Sequence, residues 1–143
     1  MNASNNVRNI DIANKIASTA SVFRQYFPDA QVNFSPWENS YENDRFDTID
    51  FSFHFPGWSP SIECRAILLQ LRVENIESND VPKLLGIVMR GMIIPTERWR
   101  VATIGKWELT GTHLPKKTQK DNLFLVCTEL YKLFATTSTG NKK

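Results

Sequence analysis

Residues 49–55 read IDFSFHF, with a large apolar residue at every odd position and a polar residue at every even one. A strict period of two predicts a β-strand with one buried face, because successive side chains of a strand point to opposite sides. The polar set then lies on the solvent side, which is typical of an antiparallel sheet. We therefore expect a half-buried antiparallel sheet to form the centre of the fold.

The segments on either side extend this sheet. Residues 32–34 alternate as a short strand, and the segment 56–60, with two prolines and a glycine, is typical of a hairpin connection with Trp58 at its tip. In the strand that follows, the apolar residues change from even to odd numbers. Keeping them on one face requires an extra residue, so we expect a β-bulge or a strong bend near residues 66–69.

Residues 84–94 are apolar at both parities, interrupted only by Gly86, Arg90 and Gly91. This pattern predicts a central strand covered on both faces. One parity holds Val88, Met92 and Ile94, and the other holds Leu85, Ile87, Met89 and Ile93. If one layer of helices covers only one face, one of these two sets stays exposed and forms a dimer contact or a protein docking site. The alternative is a strand buried between two layers of one core.

Trp99, Val101, Thr103, Trp107 and Leu109 share one parity in the next segment. Gly105 is either a kink in one long strand or part of a tight hairpin, and the sequence leaves both open. A kink would keep both tryptophans toward one core.

Two amphipathic helices bracket the sheet. The first carries a helical stripe ending before Pro28, and the second opens at Thr118, with Asp121 as a weak capping box. The stripes are Ile12, Ile16, Ala20, Phe23 and Phe27, then Leu123, Cys127, Leu130 and Phe134. We predict an α+β fold: an antiparallel sheet of about five or six strands, with the N-terminal and C-terminal helices packed on one face. The chain 1–143 is expected to form a single domain with flexible ends at 1–8 and 136–143.

Charge is distributed unevenly along the 143 residues, whose formal net charge is +2. Residues 1–80 carry a net charge of −5 and residues 81–143 a net charge of +7. Either the two halves attract each other within the fold, or a basic patch meets an anionic partner.

Motifs for known chemistry are absent from the sequence. No phosphate-binding glycine pattern, nucleophile elbow or metal-ligand spacing occurs, so no catalytic residue, metal or cofactor is assigned. Cys64 and Cys127 fall on apolar faces and are expected to be buried free thiols. No secretory or membrane-spanning segment is visible, so we expect a cytoplasmic protein that does not enter a membrane.

The candidate binding residues combine the polar parity of the strands, a loop tryptophan and the second face of the central strand. They are Trp58, His54, Glu63, Arg65, Val88, Arg90, Met92, Arg98, Arg100 and Lys106. Our leading hypothesis is a non-enzymatic accessory or adaptor protein that binds another protein, or a second copy of itself, through the open sheet face.

Two other functions are considered. A nucleic-acid-binding module would use the basic second half, with Arg98, Arg100, Lys106, Lys116, Lys117 and Lys120. An enzyme would use His54 with Glu63 and Arg65, which requires these three side chains to converge in one concave pocket.

Overall fold

The structure is a computed structural model that describes residues 2–7, 10–37, 48–74 and 82–135. A short 3-10 helix (Ala3–Asn6) comes first. The remaining elements are, in chain order, α1 (Ile10–Tyr26), β1 (Gln31–Asn33), β2 (Thr48–Ser59), β3 (Cys64–Glu74), β4 (Lys83–Ile93), β5 (Thr96–Ala102), β6 (Glu108–Gly111) and α2 (Lys117–Ala135).

The six strands form one sheet in which spatial order follows chain order, and every neighbouring pair is antiparallel. The short strands β1 and β6 lie at the two edges. This arrangement confirms the predicted α+β fold with an antiparallel sheet between an N-terminal and a C-terminal helix.

The odd-numbered residues of the strands form the hydrophobic core. Phe51, Leu69, Met89 and Val101 lie opposite one another across four strands, and all four are fully buried. Odd- and even-numbered residues of 49–55 point to opposite sides of β2. The expectation that the polar set faces solvent is wrong for Asp50 and Ser52, which are buried, whereas His54 is exposed.

Both helices contribute to this same core. The Phe23 ring of α1 stacks on Phe53 of β2, with ring centroids 3.8 Å apart. Lys15 of α1 donates from Nζ to the Leu133 carbonyl near the end of α2, at 2.6 Å. Burial lowers the pKa of Lys15, and the negative charge of Asp11 opposes that effect. The packing of both helices on one face of the sheet stays a prediction.

The predicted start of α2 needs a small correction. The helix begins at Lys117, and its first turn is joined by an exposed ion pair of 2.9 Å between Lys117 and Asp121. Asp121 therefore pairs with the lysine four residues before it. The predicted apolar stripe of this helix is buried throughout.

The predicted hairpin connects β2 and β3, but its turn is displaced from residues 56–60 and Trp58 is not at its tip. Strand β2 continues to Ser59, so Trp58 lies within a strand, and the turn occupies residues 60–63. The edge strand β1 pairs with β2 only at residues 52–54. Pro56 lies beyond that pairing, so its missing N–H removes no bond of the β1 ladder.

The predicted bulge is also displaced. Strand β3 pairs regularly with β2 from Ala66 to Arg72, and the register shift lies between the pairs His54–Ala66 and Ser59–Cys64. The extra residues therefore lie in β2, between His54 and Ser59, and not in β3. Ala66 is buried on the even-numbered side of the sheet, so its apolar character requires no change of phase.

Gly105 belongs to a hairpin, which decides between the two alternatives left open by the sequence. It has a φ of +78°, and β5 and β6 pair on either side of it. Trp99 is fully buried, whereas Trp107 is 41% exposed and contacts Phe124 and Tyr131 of α2. The two tryptophans therefore do not share one core position.

The ends of the chain were expected to be flexible. Residues 3–6 form the 3-10 helix, and both Asn2 and Ala3 are buried. Asn2 also forms an isolated parallel bridge with Asp50 of β2. The C-terminal segment 136–143 lies outside the described residues.

Trp99 links three parts of the sheet. Its indole lies over Gly91, where an added Cβ would be only 2.1 Å from the ring. Its Nε1–H donates to the Ile62 carbonyl in the β2–β3 turn, at 2.7 Å. Gly91 is therefore required for the close approach of the ring.

We expect Gly91→Ala to lower the free energy of unfolding by about 3 kcal/mol, because a buried indole with a hydrogen bond has no room to move. Gly57→Ala is the matched control, since nothing lies within 4 Å of the Cβ that this change adds to β2. Urea denaturation of both variants measures the difference. An equal loss of unfolding free energy in both variants would show that the Trp99 ring does not limit the space at Gly91.

Candidate functional site

The even-numbered residues of β2, β3 and β4 form the face of the sheet opposite to the core row. Cross-strand pairs place His54 beside Ala66 and Met92, and Leu68 beside Arg90. We call this surface the even-numbered face, and its members are Ser52, His54, Ala66, Leu68, Gln70, Arg72, Val88, Arg90 and Met92.

One end of this face holds an apolar cavity of about 310 Å³. Half-buried Leu68 and Met92 and the buried Ala66 contribute from the strands. Its other lining residues are Asn33, Pro36, Trp37, Ser52, His54, Ile94 and Pro95. No helix residue of the described ranges lines this cavity, so strands and loops alone form it.

Trp37 is held at this cavity by the N-terminal segment. The Asn2 side chain donates from Nδ2 to the Trp37 carbonyl at 3.0 Å and accepts from the Trp37 N–H at 2.9 Å. The indole Nε1–H donates to the carboxylate of the fully buried Asp50. Three hydrogen bonds therefore fix the backbone and the ring of this tryptophan.

Ser52 and His54 supply hydrogen-bonding groups to the apolar cavity. Ser52 Oγ and His54 Nε2 are 2.9 Å apart, and the histidine is exposed. A serine–histidine contact resembles half of a nucleophilic pair, but such a pair also needs a group that orients the imidazole. Among the described residues no carboxylate contacts this ring, and Asp50 of the same strand bonds to Trp37 instead. We interpret the pair as ligand-binding groups.

A second cavity of about 260 Å³ lies farther along the same face. It is lined by Thr48, Gln70, Arg72, Val88 and Arg90. The apolar cavity and this arginine cavity together form what we call the groove.

The charges at the arginine cavity are unevenly balanced. Arg90 Nε is 3.7 Å from Glu97 Oε1 and makes no hydrogen bond, while Glu97 binds Arg100 with two contacts of 3.1 Å. Arg72 is exposed and forms no ion pair with any residue in the described part of the chain. Carboxylates of the described residues therefore neutralise the positive charge of this cavity only in part.

Trp58, Glu63 and Arg98 lie together outside the groove. Arg98 donates from Nη2 to Glu63 Oε1 at 2.7 Å and from Nε to the Glu63 carbonyl at 3.2 Å. Its guanidinium lies 5.1 Å from the centroid of the Trp58 ring. Glu63 has a φ of +61°, so the ion pair stabilises a residue in the left-handed region.

The proposed convergence of His54, Glu63 and Arg65 is wrong. The cavity beside His54 includes neither of the other two residues, and Glu63 is paired with Arg98. Arg65 is exposed on β3. The enzyme hypothesis therefore loses the geometry that it required.

The basic residues of the second half are dispersed, and several have local partners. Arg98 pairs with Glu63, Arg100 with Glu97 and Lys117 with Asp121. Lys106 is exposed in the β5–β6 turn, and Lys116 and Lys120 are exposed at the start of α2. Of the ion pairs in the described residues, one joins the two halves of the chain and four lie within the second half.

Neither cysteine is poised for chemistry. Burial raises the pKa of both Cys64 and Cys127 to about 12.

Within the described ranges, no group of three or more His, Cys, Asp or Glu side chains can hold a metal ion. No helix in those ranges is both long and apolar enough to cross a membrane.

Comparison with protein families gives one match. A family model described as a domain of unknown function matches residues 4–136. The chain belongs to that family. Its groove lies within the matched residues, since every lining residue falls between positions 33 and 95. No curated protein and no solved structure matches the chain.

Of the residues singled out in the sequence, four line the groove: His54, Val88, Arg90 and Met92. Arg100 does not line it, but it binds Glu97, which also lies close to Arg90. Sequence reasoning missed Trp37, Leu68 and Arg72. Leu68 and Arg72 could have been found from parity, because they share the even-numbered side of β3 with Gln70. Trp37 gave no such signal, since its placement depends on Asn2.

We expect Asn2→Ala to release Trp37, because the two hydrogen bonds to its backbone are lost. The free energy of unfolding should fall by about 1–2 kcal/mol, and the Trp37 indole N–H resonance should shift in a ¹⁵N spectrum. Asn5→Ala is the control, since Asn5 is exposed. An unchanged indole resonance in Asn2→Ala would contradict the proposed role of Asn2.

Both thiols should resist modification in the folded protein. With a pKa near 12, only about one thiol in ten thousand is ionised at pH 8, and the thiolate is the reactive form. We expect Ellman's reagent to label neither cysteine in the native state and both in denaturant. Rapid native labelling of either one would contradict this assignment.

Proposed function

We propose that this protein is a non-enzymatic accessory or adaptor protein that binds another protein through the even-numbered face of its sheet. The observation that carries this proposal is the groove, in which an apolar cavity adjoins an arginine-lined one on a sheet face. Apolar surface flanked by polar groups is typical of the core and rim of a protein interface.

The residues of the apolar cavity support this function. Leu68 and Met92 remain half-buried although they lie on interior strands, and Ile94 on the rim is 70% exposed. Folding alone does not require apolar side chains at such positions, whereas burial by a partner removes them from water. Trp37 adds a rigid aromatic side chain, the kind that is enriched at the centres of interfaces.

The nucleic-acid alternative has weaker support. Arg98, Arg100 and Lys117 each pair with a carboxylate, which reduces the charge available to phosphates. Stacking on bases requires aromatic rings on the same surface as the cations, and Phe51, Phe53 and Trp99 are fully buried. Two other rings are already engaged, since the Trp37 indole donates to Asp50 and the Trp58 ring contacts Arg98. A labelled single-stranded oligonucleotide should therefore bind weakly, and strong salt-sensitive binding would favour this alternative.

The experiment uses the full chain to select binders from a display library of random dodecapeptides. We expect selected peptides to lose binding when Leu68→Glu places a charge in the apolar cavity. Leu125→Glu is the matched control, because Leu125 is 44% exposed on α2 and does not line the groove. Met92→Glu provides a second variant of the same cavity, and thermal melting checks that each variant folds.

Three outcomes can be distinguished. Binding lost in Leu68→Glu or Met92→Glu but kept in Leu125→Glu supports the proposal. Peptides that bind equally to every variant, or no selected peptides at all, overturn it. Light scattering tests the second copy of this chain as the occupant: a dimer that dissociates in Met92→Glu would mean that the partner is the protein itself.

A further inference from the structure

The two cavities of the groove differ in the groups that they can hold. The apolar one has Leu68 and Met92 among its lining residues, and the other is lined by Arg72 and Arg90. Leu68 and Arg72 are four residues apart on β3, which corresponds to about 13 Å along a strand. A ligand that occupies both cavities must therefore carry an apolar group and an anionic group separated by up to this distance.

The groove fits an extended peptide better than an enclosed small molecule. Its rim includes the exposed residues His54, Ile94 and Pro95, so a ligand would stay open to solvent along one side. Small-molecule sites usually bury 70–90% or more of their ligand. An extended chain has the same rise per residue as β3, and side chains two or four positions apart share one side, so such a pair spans the two cavities.

The arginine cavity favours a carboxylate over a phosphate. Planar guanidinium groups such as those of Arg72 and Arg90 bind carboxylates with paired hydrogen bonds. Glu97 lies 3.7 Å from Arg90 Nε, and its negative charge opposes a second negative charge nearby. A singly charged Asp or Glu side chain therefore meets less repulsion than a doubly charged phosphate.

Resting on the function proposed above, we propose that the groove recognises an extended acidic segment of its partner. In this segment a large apolar residue and an Asp or Glu residue are separated by two or four positions, which places both side chains on one side of the extended chain. The apolar side chain occupies the cavity beside Leu68 and Met92, and the carboxylate binds Arg72 and Arg90. The partner is thus identified by two residues of its sequence. Its apolar side chain buries apolar surface in one cavity, and its carboxylate fixes the direction in which the segment binds.

The test uses the selected dodecapeptides whose binding depends on Leu68. Their sequences should share the apolar–acidic pair at the stated spacing. Arg72→Gln should weaken them up to about fivefold, the upper end of the range for an exposed ion pair, as measured by fluorescence anisotropy. Arg65→Gln is the matched control, because Arg65 is an exposed arginine of the same strand that does not line the groove. A peptide with Asp changed to Asn should bind the native chain and Arg72→Gln equally.

The possible failures separate this inference from the function on which it rests. Leu68-dependent peptides that lack an acidic residue, or that bind Arg72→Gln as tightly as the native chain, overturn the acidic segment and leave the docking face intact. Tighter binding after the acidic residue is replaced by phosphoserine overturns it in favour of a phosphopeptide. The absence of any Leu68-dependent peptide overturns the docking face itself.

Discussion

The contact of the Trp99 indole with Gly91 and the Ile62 carbonyl is the constraint on which the rest of the sheet depends. It joins β4 and β5 to the turn between β2 and β3. The next residue, Arg98, binds the carbonyl and carboxylate of Glu63 in the same turn. Two adjacent residues of β5 therefore hold a turn that lies two strands away, and this fixes the end of β3 from which the groove begins.

The groove follows from the same alternation that builds the core. Phe51 and Leu69 have odd numbers and are buried, so their neighbours Ser52 and Leu68 necessarily project to the other side. Where those neighbours are apolar, the sheet acquires a second apolar surface that the core does not use. The core and the candidate site thus lie on opposite sides of the same strands.

Local patterns in the sequence were sufficient for most of the fold. The alternation in residues 49–55 reflects side chains that point to opposite sides of a strand, and the stripe of α2 reflects burial at a helical period, so both could be predicted without tertiary information. Pro56 and Gly105 were harder, because the effect of each depends on which strand pairs beside it. For the candidate site, His54, Arg90 and Met92 were identified by parity, whereas Trp37 was not, since its position depends on Asn2, which is 35 residues away in the chain.

The order of the strands has a consequence for how the chain reaches this structure. Each strand pairs only with its neighbours in sequence, so most sheet contacts are close along the chain, whereas Lys15 and Leu133 are joined across 118 residues. Folding rates rise as contacts become more local, since short loops lose less entropy on closure. A meander of this kind can assemble hairpin by hairpin. The two helices can pack against each other only after α2, the last described element, has formed.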